Sequence, residues 1–293
     1  MQLLLYIIIY PILWIISILP FPIFYLLSDF VCFLTYRVIG YRKKVVRDNI
    51  KLALPHLSEK ERLEIERKFY SHMCDMFLEM IKTITISQKE IEKRFTFKNM
   101  EVYYEMEKKN KSIALMCAHY ASYEWVVSMN YYVNYKGFGI YKKLANPYFD
   151  KLVKRIRSKF KAELITTKET ISTIENNYRN KVLSLYGFAS DQSPKARSAY
   201  HWAPFMGPIV PVHTGAEMLA KRFDMNVIFL KVKKVKRGYY EASFEILSED
   251  AKSVPNYEIT DQFLKLVEQQ IYEAPEFYLW THKRWKHIKE KAQ

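Results

Sequence analysis

Of the side chains in this sequence able to move a proton near neutral pH, His119 stands out, because an apolar run, Ser112 to Ala118, leads into it and an acid, Glu124, follows five residues later. An imidazole oriented by a carboxylate is suited to draw the proton from a hydroxyl as that oxygen attacks an electrophile. The apolar run reads as a buried strand of an α/β sheet. Its end places His119 at the carboxyl edge, where open sheets of this class collect ligands. Tyr123 to Met129 reads as a helix. On one continuous helix, residues five apart are turned by about 140° and do not meet. His119 in the turn and Glu124 in the first helical turn bring the pair together, with the carboxylate accepting from one ring nitrogen. The spacing also fits a strand-end histidine that caps backbone beside a glutamate facing water, so context must choose.

A second candidate strand, Val182 to Phe188, runs into Ala189-Ser-Asp191-Gln192-Ser-Pro194. This turn is expected to bring Asp191 and Gln192 to the same sheet edge as His119. Between the two strands lies a basic stretch, residues 142 to 161, with eight Lys or Arg against the single acid Asp150. Lys142, Lys154 and Arg157 belong to it. A solvated helix face ordinarily mixes signs, so this stretch is a candidate surface for phosphate groups or an acidic carrier protein, or else a plain solubilising face.

The elements that must carry these groups follow from periodicity. Val45 to Leu57 reads as a helix ended by Pro55, and Ser58 with Glu61 as a capping box opening a long helix from about Glu59 to Ile84. A short strand, Phe95 to Lys98, and an amphipathic helix precede the His119 run. After the Pro/Gly loop at 202 to 211 a helix starts at Thr214 or Gly215. Val227 to Val232 and Tyr239 to Ile246 form a strand pair turning at Arg237-Gly238, and Ile259 to Tyr272 is an amphipathic helix.

Residues 1 to 36 carry one formal charge, Asp29. Leu3 to Leu19 sits near the lower limit for a membrane-spanning helix, and Ile23 to Ile39 is a second candidate after Pro20-Phe-Pro22. Arg37, Arg42, Lys43, Lys44 and Arg47 follow, which predicts a cytoplasmic flank. A buried hairpin of core helices is the alternative. The expected organisation is a membrane-anchoring segment, 1–40, and a catalytic segment, 41–293.

The chain of 293 residues is 49% hydrophobic, enough for a sizeable core, and disorder is excluded. A net charge of +15 predicts an anionic partner. Cys32, Cys74 and Cys117, all in apolar contexts, fit buried thiols rather than a disulfide framework. No Gly/aromatic nucleic-acid motif is present, and a metal site built on His119, His201 and His213 lacks ligand spacing.

Several motifs occur in a diagnostic order: Asn49 and Pro55, His119-x4-Glu124, Asn146-Pro147 leading to Arg157, Asp191-Gln192, Phe205-x-Gly207, Gly215 with Leu219-Ala220, and Trp280-x-His282-Lys-Arg-Trp285. Over nearly its whole length the chain resembles the late acyltransferases of lipid A biosynthesis, within the lysophospholipid and glycerol-phosphate acyltransferase superfamily. The resemblance implies an α/β fold with a mixed central sheet flanked by helices, glycerol-phosphate acyltransferase-like, and an N-terminal apolar helical anchor. It implies an enzyme of the inner membrane's cytoplasmic face that moves a fatty acyl group from acyl carrier protein, or acyl-CoA, to a hydroxyl of an anionic glycolipid, with no cofactor and no nucleic acid.

On that view His119 is the general base, Glu124 orients it, Arg157 holds phosphate or the developing oxyanion, and Asp191 and Gln192 contact substrate or support the site. Lys161 where many relatives carry Gly, Met206 within the Phe-x-Gly loop, and Glu in place of Asp after the histidine leave the acceptor open. A lysophospholipid or an aminolipid is an alternative acceptor, and a non-catalytic basic lipid-binding protein is an alternative of another class.

Overall fold

A computed structural model describes residues 1–288; the last five residues of the expected catalytic segment lie outside them. Two apolar helices open the chain, α1 (Gln2–Ile18) and α2 (Phe21–Phe33), the second continued by a wider π-helical stretch, Leu34–Ile39. Together Phe21–Ile39 make a helix 19 residues long, the one described helix long and apolar enough to be a candidate membrane span. α3 (Lys43–Ala53) and α4 (Glu59–Lys82) follow. Ser58 accepts from the Glu61 amide while the Glu61 carboxylate accepts from Ser58, so the expected capping box opens α4.

Next come α5 (Gln88–Arg94), β1 (Phe95–Phe97), α6 (Met100–Lys108), β2 (Ile113–Cys117), β3 (Lys136–Tyr141), α7 (Pro147–Ser158), β4 (Glu163–Thr166), α8 (Thr170–Arg179) and β5 (Ser184–Ala189). β6 (His201–Pro204) pairs with β7 (Ile209–Val212) as a separate antiparallel ribbon. The chain then forms α9 (Gly215–Arg222), β8 (Asn226–Lys236), β9 (Tyr239–Ser248) and α10 (Glu258–Glu273).

Seven strands make one mixed sheet in the order β1-β9-β8-β2-β5-β3-β4. Every pairing in it is parallel except β8 with β9. β2 lies at its centre between β5 and β8, and all five of its residues are buried, which is why an uninterrupted apolar run was required there.

One local expectation is refined and two sets of strands were missed. The helix expected over 123–129 is present as a 3-10 helix, Trp125–Tyr131. Ser128 turns its hydroxyl back onto the Trp125 carbonyl, and Asn130 its amide onto the Val127 carbonyl, contacts that suit a short tight turn. β3 and β4 were not foreseen, and neither was the ribbon of β6 and β7.

Candidate active site

β2 and β5 are paired with Cys117 opposite Ala189. Two residues beyond each lie His119 and Asp191, so strand register alone carries the two groups to the same point of the sheet edge. There the Asp191 carboxylate accepts from the His119 backbone amide at 3.0 Å and sits 2.6 Å from ring Nδ1. Asp191 is 1% exposed and the imidazole 20%. With Nδ1–H given to Asp191, the lone pair falls on Nε2, and no described residue takes that nitrogen.

The electrostatics agree. Burial alone lowers the His119 pKa, but the charges of Asp191 and Glu124 and the hydrogen bond to Asp191 outweigh it and leave the ring above its ordinary value. Burial pushes Asp191 the other way, upward, and its attraction to His119 with the two hydrogen bonds holds it below the usual carboxylate range. Cys117, buried on the strand beside them, has its thiol pushed up to about 12 by burial and by the charges of Asp191 and Glu124, which favours the neutral thiol.

The expected partnership of His119 with Glu124 is not the one formed. Glu124 Oε2 lies 2.5 Å from Arg157 Nη2, and both side chains are largely buried. Glu124 precedes the 3-10 helix, while Arg157 stands in the last turn of α7, whose start is fixed by the Asn146 side chain accepting from the Tyr148 amide with Pro147 as first helical residue. Glu124 reaches the ring through its charge alone, and the contacting carboxylate is Asp191, which the sequence had placed at this edge in a supporting part.

Beside the Glu124–Arg157 pair is a cavity of about 50 Å³. Its other walls are Met80 and Thr83 of the α4 end, Val127, and Val153, Ile156 and Phe160 of α7 and the turn after it. It stops at the ion pair and does not extend along the ring of His119. Gln192 is half-buried next to Asp191, and Lys142 and Lys154 are exposed. The Lys154 ammonium stands 5.8 Å above the Tyr141 ring. None of these three bonds to the His119–Asp191 pair. His201 is elsewhere, bonded to Asp261 and stacked on Tyr257.

The segment from Phe277 to Trp285 holds both halves of the site. The Ala121 amide donates to the Phe277 carbonyl, the Leu279 amide to the His119 carbonyl, and Tyr120 bridges Tyr278. Arg284, with no solvent exposure, donates through Nη1 to Ser193 Oγ at 2.9 Å and to the Pro211 carbonyl at 3.0 Å. Its guanidinium lies 4.7 Å from the Phe205 ring. Asn49 donates to the carbonyls of Trp280 and His282, tying α3 to the same segment. The Tyr123 ring meets the imidazole edge-on at 4.9 Å. Tyr123 and Arg284 were not predicted to serve the site. A cationic residue between two tryptophans in a closing segment was the available signal for the second.

A histidine held by a buried acid at the edge of a mostly parallel sheet, with a basic helix alongside, is an arrangement compatible with group transfer. The chain belongs to the bacterial lipid A biosynthesis acyltransferase family, whose family model matches residues 2–287. It is 24% identical over 276 residues to the lipid A biosynthesis lauroyltransferase of Escherichia coli (strain K12), covering 94% of this chain and 89% of that one. It is 21% identical over 285 residues to the lipid A biosynthesis palmitoleoyltransferase of the same organism and, equally, to a lipid A biosynthesis acyltransferase of Shigella flexneri. The protein is therefore an acyltransferase.

Proposed function

We propose that the enzyme transfers a fatty acyl group from an acyl-carrier-protein thioester to a hydroxyl of a lipid A precursor, at the cytoplasmic face of the inner membrane, with His119 as general base. The observation that carries this reading is the 2.6 Å contact of His119 Nδ1 with buried Asp191, which leaves Nε2 as the basic nitrogen. Nε2 takes the hydroxyl proton as the oxygen adds to the thioester carbonyl. The imidazolium so formed is stabilised by Asp191 and, through space, by Glu124. The tetrahedral intermediate then expels the thiolate, which takes the proton from Nε2, giving ester and free thiol.

Arg157, held by Glu124, is proposed to face the developing oxyanion or an acceptor phosphate. The exposed cations Lys142 and Lys154 are proposed to meet the carrier's acidic surface or the glycolipid phosphates, with Gln192 beside the acceptor. No cofactor enters the scheme, and acyl-CoA is the alternative donor. Purified protein given an acyl-carrier thioester and a lipid A precursor should yield the acylated lipid by mass spectrometry. His119→Ala should slow this by roughly 10²- to 10⁴-fold; equal rates would sink the mechanism.

A further inference from the structure

The two N-terminal helices each show a one-sided apolar face to the outside. On α1, Leu4, Ile8, Ile12 and Ile15 are each more than half exposed, and on α2 the same holds for Ile23, Leu26, Phe30 and Phe33. The spacings of three and four residues put each set on one helical stripe. The opposite side of α2 is tied to the catalytic body through polar side chains, and α1 is tied to it at its two ends.

Both ends of α1 are anchored to that body. At its start the Asn146 amide donates to the Gln2 carbonyl, and the Tyr6 ring packs on Tyr148 and Phe149. At its end Lys82 donates to the carbonyls of Ser17 and Leu19, at 2.7 and 2.6 Å, and Thr85 donates to Ser17. A helix with both ends on one face of a globular body does not cross a bilayer. Its 17 residues also span only about 25 Å, against a hydrocarbon core of about 30 Å.

The longer helix is held in the same way near its middle. Ser28 donates to Asp75, Tyr25 to Glu79, and Arg237 bridges Asp29 and Asp75. Spanning with Phe21–Ile39 would pull Arg237 and Asp75 of the catalytic body toward the bilayer centre, or strip Asp29 of its partner there. Either is strongly opposed in hydrocarbon.

We infer that α1 and α2 lie flat in one leaflet of a lipid bilayer, their apolar stripes among the acyl chains and the whole catalytic body on one side. Exposed Arg37, Arg42 and Lys44 follow α2 and complement anionic headgroups. α1 also joins the end of α4 to the start of α7, the two helices that wall the cavity beside Arg157. If the acceptor is a membrane lipid, as proposed above, it reaches Arg157 past α1 without leaving its leaflet.

The test uses the full chain on vesicles of phosphatidylethanolamine and phosphatidylglycerol, with no acyl transfer required, so it stands or falls apart from the proposed reaction. A short bis-maleimide should join Gln2→Cys to Asn146→Cys in vesicle-bound protein whose Cys32, Cys74 and Cys117 are replaced. Flotation with the vesicles should be lost in a variant carrying Leu4→Glu, Ile8→Glu and Leu26→Glu, whose thermal melting in detergent matches the parent. Failure to cross-link on vesicles overturns the flat arrangement, because α1 has then left the body. Undiminished flotation of the Glu variant overturns the stripes as the lipid-facing surface.

Discussion

Glu124 and Arg157 form a 2.5 Å ion pair between the His119 turn and the end of α7, and this pair stands where the cavity meets the site. It joins two elements far apart in sequence, so each residue's contribution depends on the other. Glu124→Gln and Arg157→Gln should each lower the rate of acyl transfer, and the double variant should lose less than the two losses combined. The expected coupling is about 0.5–3 kcal/mol in a double-mutant cycle of kcat/KM. Strict additivity would show that the pair does not act as a unit.

On the proposed mechanism, the pH dependence of kcat/KM reports the state of His119. His119 must be neutral to accept a proton, and its pKa is raised, so the rate should climb with pH through a midpoint above the ordinary value of about 6.5. Asp191→Asn removes the attraction that opposes burial. The midpoint should then move to lower pH, while the plateau rate drops because the ring loses its fixed tautomer. A profile with an unmoved midpoint would take Asp191 off the ring's account.

Arg284 offers a separation of folding from chemistry. Arg284→Met leaves the Pro211 carbonyl and the Ser193 hydroxyl without their buried donor, which should cost about 1–3 kcal/mol in denaturant unfolding. Because Ser193 is two residues from Asp191, transfer should also fall at temperatures where the variant remains folded. A variant that is less stable but fully active would confine Arg284 to packing.

Gly238 turns β8 into β9 with φ +73, and an added Cβ would collide with the Tyr25 hydroxyl. Gly238→Ala should therefore strain the turn and loosen α2 from the body, lowering stability by more than about 1 kcal/mol. Thermal melting measures it, and increased protease cleavage between α2 and α3 should accompany the loss. An unchanged melting temperature would mean α2 is not held through Tyr25.

The buried centre of the sheet was legible because parallel strands covered on both faces have to be apolar throughout, and β2 and β5 come out within two residues of their expected limits. The α4 capping box was legible for the same local reason. β3 was not: its Lys136 and two glycines, Gly137 and Gly139, hide a strand whose neighbours β5 and β4 supply the pairing. The carboxylate on the ring was only half legible. A five-residue interval drew attention to Glu124, whereas the bond is made across 72 residues by strand register. Sequence gave both residues the right edge of the sheet, but it had no term for which of two acids the turn would present.

The clamp formed by Phe277 to Trp285 has a consequence for the protein's birth. A ribosome releases the His119 turn and the Asp191 turn well before it releases the residues that fasten them, and domains assemble as their chain emerges. The His119 and Asp191 turns of the nascent chain thus stay unfastened until synthesis has passed Trp285.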